Sequence, residues 1–547
     1  MSGPESAPEK SFDASDPYRR EEQTFPKLTD AQIDRVRPLA EVADLEPGAL
    51  LFERGDRRVP FFVVLKGAIE ILDHSSGEPE VITVHAHHQF TGELDLFNDR
   101  KILVSGRAQG PTRVLRLERP RFQRLMTAEP SLAELIMRAL ILRRVGLIQH
   151  EQGGVVLVGD PHDGATLDLA RFLRRNGYPL RVVAPEDAGD LNLPADCPFP
   201  SVRLPSGDLI CKPTRRELAV QLGLCEGVRE GHVHDVAVVG AGPAGLAAAV
   251  YAASEGLDTV VIESLAPGGQ AATSSRIENY LGFPTGISGQ ALAGRAQIQA
   301  QKFGARLLIS RAVTKLRHEG EDYVCVLEGG TEVRTRSVVV ATGASYRRLG
   351  LDRFEEFERH GIHFAATAME AELCHNEEVV VVGGGNSAGQ AAVFLSQHAN
   401  RVHMLIRSDT LAESMSDYLI GRLEAAPNID LRYRTQLTEL CGSAYLESVR
   451  WRGPDGEVEE RPVSNVFVMI GAQPNTAWLG DCVELDENAF VKTGSHGMMF
   501  GTSAPGVVAV GDVQSGSVKR VASAVGQGSV VIQSLHRYLQ ERGRPDA

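Results

Sequence analysis

The chain predicts a multidomain α/β architecture, and three observations carry that expectation. Residues 233–263 and 379–407 each read as an apolar strand, a glycine-rich loop, a small-residue helix and a second apolar strand. Residues 28–125 alternate short β-like runs with glycine or charged turns and then become helical over 131–148. Residues 153–228 follow the order strand, helix, strand, hairpin, helix. A chain of 547 residues with 43% hydrophobic content has length and core for roughly three or four domains.

The first glycine unit, VHDVAVVGAGPAGLAAAVYAASEGLDTVVIE, sets GAGPAG (240–245) between a β-branched strand and a helix. Gly240 permits the tight turn, Gly242 lets backbone N–H groups approach a pyrophosphate, and Gly245 lets helix pack on strand. Glu263, 23 residues past Gly240, is placed to accept a ribose hydroxyl. The second unit, VVVVGGGNSAGQAAVFLSQHANRVHMLIR, repeats the pattern with Gly383, Gly385 and Ala388. Its second strand ends on Arg407, and a guanidinium there suits a 2′-phosphate where an acid would suit a free hydroxyl. Two such sites in one enzyme usually hold FAD and NAD(P)H. Arg407 favours NADPH over NADH, the other reading being a solvated surface arginine.

These residues resemble the low-molecular-weight thioredoxin reductase family over roughly 232–547. The likeness rests on GAGPAG, PGGQAATSSRIENYLGFP (267–284), ATGA (341–344), GGGNSA, IGAQPNT (470–476) and GDVQSGSVKRVASA (511–524), in the family's order. The resemblance implies that FAD lies on Gly240, Gly242, Pro243, Ala244, Gly245 and Glu263, then on Gly268, Gly269, Gln270, Asn279 and Val313. It adds Ala341, Thr342, Gly343, Gly511 and Asp512, with Arg520, Val521 and Ala522 at the flavin ring, Val521 standing where the family has Gln. NADPH is implied at Gly383, Gly385, Asn386, Ser387, Ala388, Arg407, Ile470 and Gly471. The implied FAD domain is discontinuous, 232–350 plus 467–547, with the NAD(P)H domain at 351–466, in a homodimer.

The largest departure concerns chemistry. Where the family carries Cys-x-x-Cys followed by Asp, GIHFAATAME (361–370) presents Ala365, Ala368 and Met369. A methyl group forms neither a thiolate nor a mixed disulfide, and a thioether is no general acid. The seven cysteines (Cys197, Cys211, Cys225, Cys325, Cys374, Cys441, Cys482) are scattered singly. Their spacing suits neither zinc nor a local redox pair, so they read as inert buried thiols unless two meet in space. No catalytic side chain is identified.

Three functions follow. The first is hydride transfer from NAD(P)H to FAD and on to a non-dithiol acceptor such as oxygen, a quinone or a carrier protein. The second is a thioredoxin-disulfide reductase using other cysteines, and the third a flavin-based redox sensor.

Residues 25–150, with Gly67 and FTGELDLFNDRKILVSGRA (90–108), resemble a cyclic-nucleotide-binding β-roll with C-terminal helices. In that family the Gly-Glu pair, here Gly92 and Glu93, meets the ribose and a downstream arginine neutralises the phosphate. That arginine's position falls on Ile102, with Arg100 and Arg107 nearby. An apolar residue there would leave a buried anion unpaired; a retained fold serving dimer or domain contacts is the other reading. His85, His87 and His88 read as surface or loop residues, since alternation splits them between two faces. No metal site is expected.

Residues 151–231 resemble a thioredoxin or glutaredoxin fold without its Cys-x-x-Cys, with a hairpin around Ser206-Gly207 and Pro200 at the fold's cis-proline position. They are expected to serve as a scaffold or docking module without redox activity.

Residues 1–24 are polar and expected to be disordered, with no signal pattern. No apolar run approaches about 18 residues, so no membrane association is expected, and the location is expected to be cytoplasmic. A net charge of −14 argues against nonspecific nucleic-acid binding, which needs clustered Lys and Arg.

Overall fold

The computed structural model describes residues 16–542 apart from 58, 75–78, 93, 98–99, 161–162, 192, 195, 225–226, 275–276, 278, 359, 367–369, 372 and 444. Two compact units emerge, Met1–Gly343 with Thr476–Ala547, and Ala344–Asn475.

The first unit begins with α1 (Glu21–Thr24) and α2 (Asp30–Val36), the latter started by a capping box between Thr29 and Gln32. Strands β1 (Glu41–Leu45), β2 (Leu50–Phe52), β3 (Phe61–Lys66), β4 (Ile69–Asp73), β5 (Glu80–His85), β6 (Phe90–Thr91), β7 (Ser105–Ala108) and β8 (Thr112–Leu117) follow. They form two antiparallel sheets, β1-β8-β3-β6 and β2-β7-β4-β5. Helices α3 (Arg119–Ala128) and α4 (Pro130–Gln149) close the roll. Gly67 has φ 82°, and a Cβ on it would meet Pro111 O at 2.6 Å, so the β3–β4 turn requires glycine.

Residues 16–24 depart from the expected disorder. A 3-10 turn at Pro17–Arg19 leads into α1, and Thr24 Oγ1 donates to Pro17 O (2.6 Å). The cause is the buried guanidinium of Arg143 on α4. It needs acceptors, and it finds Thr24 O (2.9 Å) and Phe90 O (3.0 Å) while lying over the Phe25 and Phe90 rings.

His85 is a second correction, being 2% exposed rather than on the surface. Strand β5 ends there, its side chain turns into the roll, and burial followed by the Arg143 charge holds its pKa well below the ordinary value. His87 is exposed and His88 half-buried.

The next segment comprises β9 (Val155–Val158), α5 (Gly164–Arg175), β10 (Leu180–Val183), β11 (Ser201–Arg203), β12 (Leu209–Cys211) and α6 (Arg215–Gln221), in sheet order β10-β9-β11-β12. Only β9 and β10 run parallel, and the Phe199–Pro200 peptide is cis. Cys197 and Cys211 form a disulfide, which corrects the expectation of single inert thiols. Pairing of β11 with β12 sets Cys211 opposite Ser201, and the preceding chain brings Cys197 back to it.

A larger sheet follows from β13 (Val233–Val239), α7 (Pro243–Ser254), β14 (Thr259–Glu263), α8 (Gly289–Lys302), β15 (Arg306–Ile309), β16 (Val313–Glu319), β17 (Asp322–Leu327) and β18 (Glu332–Val340). Its order is β15-β14-β13-β18-β17-β16, with the first four strands parallel. Strand β13 is buried on both faces, as helix-covered parallel strands are. At its start His232 and His234 share Asp258 Oδ2 (2.5 and 3.0 Å), and burial lowers the His234 pKa.

The second unit opens with β19 (Ala344–Tyr346), α9 (Phe354–Phe357), β20 (Ile362–His363), β21 (Glu378–Val382), α10 (Asn386–Leu395), β22 (Arg401–Ile406), α11 (Asp417–Ala425) and β23 (Ile429–Tyr433). The antiparallel ribbon β24 (Gln436–Gly442), β25 (Leu446–Arg452) and β26 (Val458–Arg461) is followed by β27 (Asn465–Val468) and β28 (Ala472–Pro474). A parallel sheet β20-β27-β21-β22-β23 is its core, and β28 pairs back with β19. The chain then rejoins the first unit, where β29 (Val507–Ala509) pairs with β18 and α12 (Val521–Arg542) packs on α7.

His85 sets an acid sensitivity. Neutral when folded, it takes up a proton on unfolding below its ordinary pKa of about 6.5, so stability is present above that pH and falls as pH drops towards its folded value. Melting curves between pH 5 and 7.5 (about the His range) should show the melting temperature of the first unit rising with pH, with a shallower slope in His85→Phe.

Candidate nucleotide sites

Strand β13 ends where the backbone must pass close to its neighbour. Gly240 has φ 101°, and a Cβ on it would collide with Ala341 O. Gly245, in the first turn of α7, would place a Cβ on Gly240 O, so helix and strand touch backbone to backbone. Gly242 is different. With φ −70° it caps α7 without strain, and its Cβ position meets nothing nearer than Gly269 Cα at 3.9 Å. The space above the helix N-terminus is therefore open, and the first N–H groups of α7, beyond Pro243, point into it.

The surrounding loops converge on this point. Glu263, at the end of β14, accepts from Ala241 N (2.8 Å) and Leu265 N (2.9 Å), which fixes its carboxylate beside the loop and leaves lone pairs for further donors. Gly268 N donates to Ala241 O (2.6 Å), and a Cβ on Gly269 would meet Gly242 Cα at 3.0 Å. Arg311 N donates to Glu263 O (3.0 Å), and Val313 follows two residues after Arg311. Ala341 touches Gly240, and Gly343 follows with φ 64° and an open Cβ position. From the returning chain, a Cβ on Gly511 would meet Ala244 Cβ at 2.9 Å. Burial raises the Asp512 pKa while Lys519 opposes the rise.

Thr342 and Val521 are half-buried, whereas Gln270, Asn279, Arg520 and Ala522 are exposed. Gln527 escaped the sequence reading. On α12, its Oε1 accepts from Gly511 N (2.7 Å) and Gln514 Nε2 (2.8 Å), tying the Gly511 loop to the helix. Its only signal was a polar residue on the face of α12 that carries Ala524 and Val531.

In the second unit Gly383 has φ 146°, and a Cβ there would meet Met469 O at 2.5 Å. Gly385 caps α10 with only Ser414 O at 3.8 Å near its Cβ position. Ala388 is buried and fills the close helix–strand contact, while Ser387 is exposed at the helix N-terminus. Asn386 Oδ1 accepts from Ser416 N (3.0 Å). Arg407 follows β22, exposed and without an ion pair among the described residues. Ile470 is half-buried and Gly471 exposed, its carbonyl accepting from Arg347 N (3.0 Å).

Ala365 is exposed, while Ala368 and Met369 lie outside the described residues. Burial pushes the Cys325 and Cys374 thiols up to about 12 and raises Cys482. At neutral pH these three hold almost no thiolate.

The β-roll interior is lined by its own chain. A cavity of about 40 Å³ remains among Phe25, Phe52, His85, Gly92, Ile102 and Arg143, near the volume of one water. Arg107 is bound to Glu70 (2.7 Å) and Arg100 to Asn176 O (2.8 Å), and among the described residues the cation lining this interior is Arg143. Gly92 has φ 153°, and Glu93 lies outside the described residues.

Comparison with known proteins fits this geometry. Residues 234–528 match the pyridine nucleotide-disulphide oxidoreductase family model, and residues 42–129 match the cyclic nucleotide-binding domain. The chain belongs to the pyridine nucleotide-disulphide oxidoreductase family. It is 31% identical to thioredoxin reductase of Listeria innocua, across 57% of this chain and 96% of that protein. NADPH-dependent thioredoxin reductase 3 of Arabidopsis thaliana is 35% identical, across 56% of this chain and 58% of its own length. The crystal structure of thioredoxin reductase from Streptococcus pyogenes MGAS5005 superposes with a TM-score of 0.51 at 31% identity, covering 56% of this chain and 99% of that one. Thioredoxin reductases use FAD and NADPH. No helix among the described residues is long and apolar enough to cross a membrane.

Two substitutions separate binding from folding. Gly242→Ala introduces no strain, so the melting temperature should hold while retained flavin, read by visible absorbance, falls at least about tenfold in affinity, or 1.4 kcal/mol. Arg407→Ala should raise KM for NADPH by roughly tenfold to a hundredfold, the worth of a charge-assisted hydrogen bond, and leave KM for NADH unchanged.

Proposed function

We propose that the chain is an NADPH-dependent flavin oxidoreductase that passes electrons to an acceptor other than a dithiol on its inserted unit: oxygen, a quinone or a carrier protein. FAD, when bound, supplies the N5 position that takes a hydride from the nicotinamide and releases electrons onward. The observation that carries the reading is an intact cradle joined to a missing sulfur couple. Methyl side chains stand at 365 and 368, and the Cys374 thiol of the same unit is buried and pushed up to about 12.

The residues fit the cofactor. The open N-terminus of α7 suits a pyrophosphate, Glu263 a ribose hydroxyl, and the half-buried Asp512 a hydroxyl of the flavin chain. Arg520, just before α12, would offer a cation beside a helix N-terminus to negative charge developing on the flavin ring. Gly383, Gly385, Ser387 and Arg407 suit NADPH, with Arg407 on the 2′-phosphate. These groups orient and bind, and none identified moves a proton.

Under anaerobic conditions NADPH should bleach the flavin. Adding thioredoxin should leave it bleached, while a quinone or air should restore it. Recovery of colour with oxidised thioredoxin alone, with thiols appearing on it in step, would overturn the reading. Ala365→Cys combined with Ala368→Cys should then confer NADPH-dependent thiol release on thioredoxin, detectable by a colorimetric thiol assay, from a background of none.

A further inference from the structure

We infer that the Cys197–Cys211 disulfide is an exchangeable redox centre addressed by a protein dithiol from outside the chain. Cys211 is the only exposed cysteine among the described residues, Cys197 is half-buried, and the other four described cysteines are half-buried or buried. Exchange needs an attacking thiolate to reach one sulfur in line with the bond, so exposure selects this pair.

Its place in the module decides who can reach it. Ser201 lies opposite both Val158 and Cys211, so the disulfide sits at the carboxyl end of β9, the end from which α5 begins. The other end of α5 faces the flavin cradle. Arg175 Nη2 donates to Gly269 O (2.8 Å), and Asn176 Nδ2 donates to Leu265 O (3.2 Å). Twelve helical residues separate the two ends by about 18 Å. The disulfide therefore lies away from the cradle, and its electrons must come from a second molecule.

The surface beside it suits an extended polypeptide. Strand β12 is the edge of its sheet, the position at which an extended polypeptide adds as a further strand. Phe199, 44% exposed two residues from Cys197, offers an apolar contact.

The step balances as thiol–disulfide exchange. A partner thiolate attacks Cys211 Sγ, the Cys197–Cys211 bond breaks, and Cys197 leaves as thiolate. The partner's second thiol then attacks its own sulfur in the mixed disulfide and releases Cys211. Two electrons and two protons pass from the partner dithiol to the pair, and the partner becomes a disulfide.

The inference is independent of the flavin reading, and one experiment reads both. The full-length flavoprotein is held anaerobically with NADPH alone, with glutathione, or with reduced thioredoxin as protein dithiol at equal thiol concentration. Differential alkylation and mass spectrometry follow Cys197 and Cys211, while absorbance follows the flavin. Reduced thioredoxin should open the pair at least about tenfold faster than glutathione, and NADPH alone should leave it closed. Equal rates for the two thiols, or resistance until denaturant is added, would make the bond a structural staple and overturn the inference. Opening by NADPH alone would overturn the outside partner. Bleaching in the NADPH arm reports on the flavin proposal separately.

Discussion

Close backbone contact without side chains is the constraint on which the first unit's nucleotide site rests. Gly245 crosses Gly240, Gly240 passes Ala341, Gly511 meets Ala244, and Gly528 lies on the Ala244 carbonyl. One Cβ at any of these crossings would push α7 away from β13 or from α12 and move its N-terminus out of the loop circle. Glycine carries an entropic cost of about 0.5–1 kcal/mol per helical or strand position. The close approach offsets that cost by burying the alanine face of α7, where Ala248, Ala249 and Ala252 are wholly enclosed.

Around that contact the polar groups are held yet not exhausted. Glu263 is pinned by two backbone N–H groups, and Asp512 is half-buried with a raised pKa. Half-buried carboxyl groups held this way favour a ligand that donates hydrogen bonds. The β-roll shows the opposite condition. Its interior guanidinium, Arg143, already takes Thr24 O and Phe90 O, and the residual cavity is near one water in size. Among the described residues, then, the glycine cradle leaves an open helix N-terminus while the β-roll's Arg143 is already bound by its own chain.

What could be read from the sequence was what repeats locally. Strand–loop–helix order and glycine spacing announce the crossings at Gly240 and Gly383, because each involves neighbours along the chain. Contacts made across the fold left no such trace. His85 followed a polar pattern on its strand, and its burial depends on neighbours far along the chain, Phe25 and Arg143, the latter 58 positions away. Residues 16–24 looked disordered by composition, yet the Thr24 carbonyl accepts from that same arginine. Gln527 was silent because its partner, Gly511, comes from a loop.

The disulfide marks that boundary most sharply. A turn at Ser206-Gly207 is legible, and the register it sets brings Cys211 to Ser201 rather than to Cys197. The remaining distance is closed by the course of the chain before β11, a tertiary property with no periodic signature. Fourteen residues of separation therefore leave this pair without the short spacing that marks a redox motif in sequence. Its position at the far end of α5 from the first unit's glycine cradle sets the disulfide and the Gly269 loop at opposite ends of one helix, about 18 Å apart, a separation no pattern in the sequence announces.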